Sequence, residues 1–400
     1  MSCGLRRIRL ALTAFFALDG FVFAGWVVRI PAVREQTGAS PSALGLALLG
    51  VSAGAVVTMV LTGRLCRRYG NHPVTVASGV LPTGSVALPP HTHSAWLLGL
   101  VLLVFGAGFG AVNVAANSAA VDLVAALKRP VMPSLHAAYS LGGMLGAGLG
   151  GLIARHLSAA RHLGLLAAVG LVGVALAGRL LPAGPAPLPP AREQEAPPRA
   201  AAPAGEVGAA AATGGGAGTR RLVVVFGFIA LCTAYGEGAM ADWSALHLRD
   251  SLGASESLAA AGYSCFALAM TVGRLMGSWV LRRLGQTRAL ALGGSVAAAG
   301  MLLGALGWDV WPVLIGFVVT GLGLANIFPI AIGQAGALTG PSEVAAASTL
   351  GYGGMLAGPV AIGFLADWLT LSAALTTVAL LSALAAVVTL VTREAVSAAG

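Results

Sequence analysis

The sequence contains the stretch Tyr235-Gly236-Glu237-Gly238-Ala239-Met240-Ala241-Asp242-Trp243-Ser244, inside an apolar run that starts near Leu222. This run has the length and hydropathy of a helix that crosses a bilayer. A charge at the bilayer centre costs roughly 2.5–3.5 kcal/mol on insertion scales, so an idle carboxylate at that depth should be rare. The two acids Glu237 and Asp242 therefore indicate a functional site in a membrane protein.

The composition of the whole chain predicts the same class of protein. Of 400 residues, 57% are hydrophobic and 9% are charged, against about 25% charged in an average soluble domain. The net charge is +9, but the basic residues lie in short loops between apolar runs, which indicates membrane topology and no nucleic-acid partner. The four cysteines show no CxxC spacing, so no disulfide framework, zinc site or other cofactor is expected.

The hydropathy pattern predicts an all-α integral membrane fold of twelve transmembrane helices in two sets of six. The predicted helices span 10–30, 44–64, 73–89, 96–120, 134–155 and 162–181, then 221–246, 258–280, 288–307, 311–337, 345–367 and 371–391. The segment between the sets is rich in Pro, Ala and Gly and cannot bury a core. The predicted domains are an N-terminal bundle (1–181), a flexible cytoplasmic linker (182–220) and a C-terminal bundle (221–400).

The distribution of basic residues predicts the orientation of the chain in the membrane. With the N-terminus inside, 17 of the 23 lysines and arginines fall in cytoplasmic stretches and five fall outside. Basic residues are enriched in cytoplasmic loops. The expected location is the cell (plasma) membrane, with both termini in the cytoplasm.

The two halves of the chain are related by an internal repeat. Four short motifs recur in the same order at offsets of 211 to 215 residues. Six helices, a linker and six related helices form the parallel-repeat arrangement that places a substrate site between the halves, near the midplane. The matched segments are 34–40 with 249–255, 67–70 with 282–285, 108–113 with 321–326, and 142–145 with 353–356.

Several of these motifs resemble those of a known family. Residues 63–70 read Gly-Arg-Leu-Cys-Arg-Arg-Tyr-Gly and are similar to the G-x-x-x-D-R-x-G signature of major facilitator superfamily (MFS) transporters. Arg67 stands where that signature has its aspartate, so a gate that relies on the aspartate is not carried over. Residues 146–151 resemble the G-P-x-x-G-G element of many antiporters, with Ala147 in place of proline. The stretches 26–31 and 237–244 are similar to bacterial YbjJ-like members.

The resemblance implies that the first, fourth, seventh and tenth helices line a central cavity, and most polar residues within the predicted spans lie on those helices. Asp19 lies roughly 14 Å along the first helix and Glu237 roughly 22 Å along the seventh. At the offset of 215, Glu237 corresponds to Val22, one turn from Asp19. Since burial of a carboxyl group favours its protonated form, Asp19 and Glu237 are the predicted proton-coupling residues. Alternatively, a nearby arginine or serine neutralises each acid, which then only fixes packing.

Three further charged residues are candidates for gating or charge pairing. Asp242 lies about 140° around the helix axis from Glu237, near the predicted outer mouth, where an interfacial cap is an equal alternative. Arg274 is two turns before an inner loop, so its side chain is expected to reach the cytoplasm, with pairing to a buried acid as the alternative. Arg29 is a possible counter-ion to a buried acid.

Amide and aromatic side chains complete the predicted substrate cavity. Amides both donate and accept hydrogen bonds, which suits a hydroxylated or zwitterionic solute, although interhelical bonding is an alternative role. The aromatic rings could stack on a ring or sugar face, or belong to the interfacial belt. His136 is expected near the inner interface, in a structural or gating role. The cavity candidates are Asn113, Asn117, Asn326, Gln334, Trp26, Tyr139 and Tyr235.

These features predict a secondary active transporter of a small solute, working by alternating access and coupled to protons. The chain has a single lysine, Lys128, outside any phosphate-binding loop, so no ATPase motor is expected. No H-E-x-x-H motif occurs, and no enzyme is predicted. The expected partners are a small solute, a proton and the lipid bilayer, with the protein a monomer. The alternatives are a drug or metabolite efflux antiporter, or a receptor or scaffold that does not transport.

Overall fold

The computed structural model describes residues 3–127, 131–181, 217–339 and 341–392, and these ranges are helical without a strand. All but the last four residues of the predicted linker lie outside them. The helices of the first half are α1 (Cys3–Val27), α2 (Ile30–Thr37), α3 (Pro41–Tyr69), α4 (Asn71–Ser85), α5 (Ala95–Leu127), α6 (Met132–Ala154) and α7 (Ala159–Gly178). Those of the second half are α8 (Ala217–Leu246), α9 (Glu256–Leu275), α10 (Gly277–Leu306), α11 (Val310–Leu324), α12 (Ile327–Thr339), α13 (Pro341–Trp368) and α14 (Leu371–Val391).

Ten helical segments within the described ranges are long and apolar enough to cross a membrane. Two of the twelve predicted spans are not among the ten. They correspond to α4, which has 15 residues and contains Pro82, and to α13. The count of twelve spans therefore stays a prediction.

Two predicted helices are divided. The predicted helix 258–280 ends as α9 at Leu275, and α10 then starts at Gly277 and bends at Gly285, where φ is +71°. The predicted helix 311–337 is interrupted at Ala325 and Asn326, between α11 and α12. The side chain of Asn326 lies against the start of α10, because its Nδ2 donates to the carbonyl of Gly273 over 2.8 Å and a Cβ at Gly277 would overlap its Oδ1.

The described helices form two compact units. The first comprises Met1–Ala39 and Leu46–Arg199, and the second comprises Ser40–Gly45 and Ala200–Gly400. Each unit has buried apolar positions along several of its helices.

The line of close contact between α1 and α6 in the first unit, here called a seam, depends on glycine residues. A Cβ at Gly142 would overlap the carbonyl oxygen of Ala17, and a Cβ at Gly146 would overlap that of Phe21. Small residues let helix backbones approach closely where no larger side chain fits. The element that resembles an antiporter motif therefore has a packing role at Gly146.

The seam between α8 and α13 in the second unit repeats this arrangement. A Cβ at Gly354 would overlap the carbonyl oxygen of Leu231, and a Cβ at Gly358 would lie 3.2 Å from that of Tyr235. Ala17 and Leu231, whose carbonyls make the equivalent contacts, are 214 residues apart in sequence, as are Phe21 and Tyr235. This register aligns Glu237 with Phe23, so the alignment with Val22 at an offset of 215 is wrong by one residue.

Candidate functional site

A polar cavity lies between α1, α5 and α6 of the first unit. It measures about 350 Å³, part of it open to solvent. Four of the predicted site residues meet on its wall, together with His136. The cavity is lined by Phe16, Asp19, Val112, Asn113, Ala116, Asn117, His136 and Tyr139.

Asp19 is the one carboxylate on this wall. Within the described parts of the chain, neither a cation nor a hydrogen-bond donor contacts its oxygens. On its other flank lies a smaller cavity, of about 230 Å³ with open solvent included, whose lining is almost wholly apolar. The exception, the Thr83 hydroxyl, donates to the carbonyl of Gly79 over 2.6 Å. Asp19 therefore lies between a polar cavity and an apolar one, and no cation among the described residues balances its charge.

The two amides of α5 line the same cavity one helical turn apart. The Nδ2 of Asn117 donates to the backbone carbonyl of Asn113 over 2.8 Å. This bond holds the Asn117 side chain along the helix, while the side chain of Asn113 is exposed. An exposed amide that both donates and accepts hydrogen bonds can bind hydroxyl or carboxylate groups of a solute.

In the second unit, Glu237 forms an ion pair with Arg274. The Nη2 of Arg274 lies 2.9 Å from each carboxylate oxygen of Glu237, and its Nε donates to the carbonyl of Ala325 over 3.4 Å. Arg274 therefore contacts an acid on the neighbouring helix and the break between α11 and α12. The structure therefore shows the pairing with an acid that the sequence analysis gave as the alternative for Arg274.

Tyr263 on α9 is a member of this cluster that the sequence analysis missed. The charges of Glu237, Asp242 and Arg274 all act on its phenol, and its ring packs near Phe266 with the ring centroids 6.5 Å apart. It lies only five residues inside the predicted span 258–280, where an aromatic ring is typical of the interfacial belt, so no signal in the sequence distinguished it. The cluster therefore contains two acids, Glu237 and Asp242, and one cation, Arg274.

The pair of Glu237 and Arg274 predicts a coupled effect on stability. Glu237→Gln and Arg274→Gln should each lower the thermal midpoint of the purified protein, since each leaves one charge without its partner. The double variant should recover part of this loss. The side chains are 29% and 47% exposed, so screening limits the coupling to about 1 kcal/mol or less. Strictly additive losses in a double-mutant cycle would contradict the pairing.

Four other predicted cavity residues lie outside the polar cavity. Trp26 is 2% exposed and belongs to the core, so stacking on a solute is not its role in this conformation. Tyr235 is also buried, and its hydroxyl lies 2.9 Å from Oγ1 of Thr377. Asn326 supports the division between α9 and α10, and Gln334 is buried. Residues that the repeat relates, such as Asn113 and Asn326, therefore have different surroundings.

Arg29 joins the end of α1 to the connection between α6 and α7. Its Nε donates to Nδ1 of His162 over 2.7 Å, and its Nη2 donates to the carbonyl of Leu157 over 2.8 Å. A weaker bond of 3.3 Å reaches the carbonyl of Ala154. The side chain is 2% exposed. These contacts make Arg29 a buried clamp between helices.

Replacing Arg29 should destabilise the protein strongly. Arg29→Gln is expected to cost about 2–5 kcal/mol, because it leaves buried acceptors without a donor. Arg29→Lys should recover only part of this loss, since an ammonium lacks the planar fork that reaches several acceptors. The measurement is the thermal midpoint in detergent, with the exposed Arg161→Gln as control. Equal midpoints for Arg29→Gln and Arg161→Gln would contradict the clamp.

The sequence matches one family model and two uncharacterized relatives over most of their length. The family model described as the Major Facilitator Superfamily matches residues 10–236 and 226–399. The chain is 35% identical over 374 residues to an uncharacterized MFS-type transporter of Yersinia pestis, which covers 92% of this chain and 91% of that protein. It is 33% identical over 386 residues to the uncharacterized transporter y4wD of Sinorhizobium fredii, which covers 96% of this chain and 97% of that protein.

The fold matches solved structures of transporters. The structure of a bacterial homolog to the human lysosomal transporter Spinster superposes with a TM-score of 0.77 at 12% sequence identity, covering 100% of this chain and 99% of that one. At this identity the similarity concerns the fold alone. The relationship to YbjJ-like members stays a prediction.

Proposed function

Because the chain belongs to the major facilitator superfamily of membrane transporters, we propose that it moves a small polar solute by alternating access, in exchange for or together with protons. Asp19 binds and releases the proton. The cavity between α1, α5 and α6 binds the solute in part through Asn113 and Asn117, with Tyr139 beside them. The protein acts in the cell membrane as a monomer, with both termini in the cytoplasm.

The observation that carries this proposal is the position of Asp19 on the cavity wall. A carboxylate in low dielectric needs a cation, hydrogen bonds or a proton. No described residue supplies the first two, so water in the cavity and a proton are the partners left to Asp19. Protonation removes a charge from the solute cavity, and this change links occupancy of the cavity to the proton gradient.

Glu237 has a different proposed role, because Arg274 already compensates its charge. Protonation of Glu237 would release Arg274 from the ion pair, so this pair is a second point at which proton binding can bias the conformation. Asp242 and Tyr263 belong to the same electrostatic cluster. We propose that this cluster responds to the coupling ion, and that Asp19 controls the solute cavity.

The test is flux into proteoliposomes under an imposed pH gradient. Pools of labelled sugars, labelled amino acids and cationic dyes are offered to vesicles with wild-type protein, and protein-free vesicles serve as the control. Flux that a protonophore collapses supports proton coupling, and its sign separates import from export. Flux that follows a sodium gradient, or no gradient, contradicts proton coupling. Absence of flux with every pool favours a receptor or scaffold.

A further inference from the structure

We propose that His136 carries the proton between Asp19 and the aqueous phase at the N-terminal end of α1. This inference rests on the proposed function, because it requires that Asp19 exchange a proton. His136 and Asp19 line the same cavity. Within the described residues, the only other titratable group on its wall is Tyr139.

The register of α1 and α6 places His136 on one side of Asp19. The two helices run in the same direction, because Ala17 meets Gly142 and Phe21 meets Gly146. His136 precedes Gly142 by six residues, and Asp19 follows Ala17 by two. At 1.5 Å per residue, the backbone of His136 lies about 12 Å nearer the N-terminal ends of the helices than that of Asp19.

The surroundings of Asp19 direct the proton toward His136. The apolar cavity on the opposite flank is lined by Phe15, Leu18, Val22, Gly79, Pro82, Thr83, Val112 and Val174, none of which titrates. On the polar side, α5 contributes the amides of Asn113 and Asn117, which can order water but cannot hold a proton near neutral pH. Within the first unit, the polar cavity therefore offers the route from Asp19 to water.

The ring of His136 packs against the ring of Phe16 on α1. The two rings meet edge to face, with centroids 5.2 Å apart and an angle of 72° between their planes. Phe16 lies on α1 one turn before Asp19, toward the N-terminus. This contact places the imidazole toward the end of the cavity that the register assigns to it.

The proton moves in two transfers. The protonated carboxyl group of Asp19 gives its proton through water in the cavity to a ring nitrogen of His136, which leaves a carboxylate and an imidazolium. The imidazolium then loses this proton to water at the N-terminal end of α1. An imidazole suits both steps, because its ordinary pKa is close to neutral pH. The backbone separation of about 12 Å indicates a short chain of water molecules and not direct transfer.

The inference is tested without a known solute by following protonation of Asp19 itself. Proteoliposomes receive a rapid pH jump, and the infrared C=O stretch of the protonated carboxyl group is recorded over time. Asp19→Asn identifies the band of Asp19 by its loss. In His136→Gln the amplitude of this band should persist. Its rate of change should fall at least about tenfold, because a positioned acid–base group commonly contributes 10²–10⁴-fold to the rate of a proton transfer.

Controls separate a proton-carrying role from a structural one. The exposed His93→Gln should leave the rate unchanged, and His136→Glu, which restores a titratable group, should recover part of it. An unchanged rate in His136→Gln overturns the inference. Loss of the band amplitude in a folded His136→Gln also overturns it, because His136 would then hold the site and not carry the proton. Absence of an Asp19-dependent band in wild type overturns the role of Asp19 itself.

Discussion

Asp19→Asn is expected to abolish proton-driven accumulation of solute while the protein stays folded. For one proton per solute, a gradient of one pH unit corresponds to about 1.4 kcal/mol and sustains about tenfold accumulation. In Asp19→Asn this ratio should fall to about one, because an amide cannot carry the proton. Exchange of labelled for unlabelled solute, without a gradient, should persist, since the asparagine keeps the size and much of the polarity of the side chain.

Two comparisons make this result specific to Asp19. Asp309→Asn removes a carboxylate of the same size at the exposed N-cap of α11, where asparagine caps about as well as aspartate, so accumulation should be normal. The thermal midpoint of Asp19→Asn should equal or exceed that of wild type, because the substitution breaks no contact within the described structure. Accumulation that persists in Asp19→Asn, or is equally lost in Asp309→Asn, would contradict the proposed role.

Asp19 and the α5 amides could be found from the sequence because their positions follow local rules. A carboxylate in an apolar run is costly wherever the run folds into a membrane helix, and Asn113 and Asn117 share a helix face because four residues make one turn. The pairing of Glu237 with Arg274, by contrast, does not follow from a local sequence rule. It joins side chains 37 residues apart, and hydropathy alone could not decide between that contact and a side chain that reaches the cytoplasm.

The helix interruptions and the exact register of the repeat depend on contacts between helices, which local sequence patterns do not predict. The interruption at Asn326 accompanies a hydrogen bond to Gly273 on another helix, while residues 311–337 read as one apolar run. The offset of 215 came from loop motifs, whereas the carbonyls that meet these glycines relate α1 to α8 at an offset of 214. A difference of one residue rotates a helical position by about 100°, which is enough to change the predicted partner of Glu237.

The glycine seams should give a large difference between substitutions at adjacent residues. Gly142→Ala places a methyl group on the carbonyl oxygen of Ala17, whereas Gly143→Ala meets only contacts of 3.7 Å and longer. A backbone carbonyl cannot rotate away, so α1 and α6 must separate. Overpacking of this kind costs about 1–3 kcal/mol or more. Gly143→Ala should be neutral or stabilising, since alanine favours a helix by about 1 kcal/mol over glycine.

The second unit also has a crowded glycine next to an uncrowded one, so the prediction can be tested twice. Gly354→Ala would overlap the carbonyl of Leu231, while a Cβ at the adjacent Gly353 meets nothing within 4 Å. Thermal midpoints of the four variants in detergent should therefore fall at Gly142 and Gly354 and hold at Gly143 and Gly353. Equal midpoints within either pair would show that the seam in that unit tolerates a wider helix separation. Losses at all four positions would instead indicate a general intolerance of α6 and α13 to substitution.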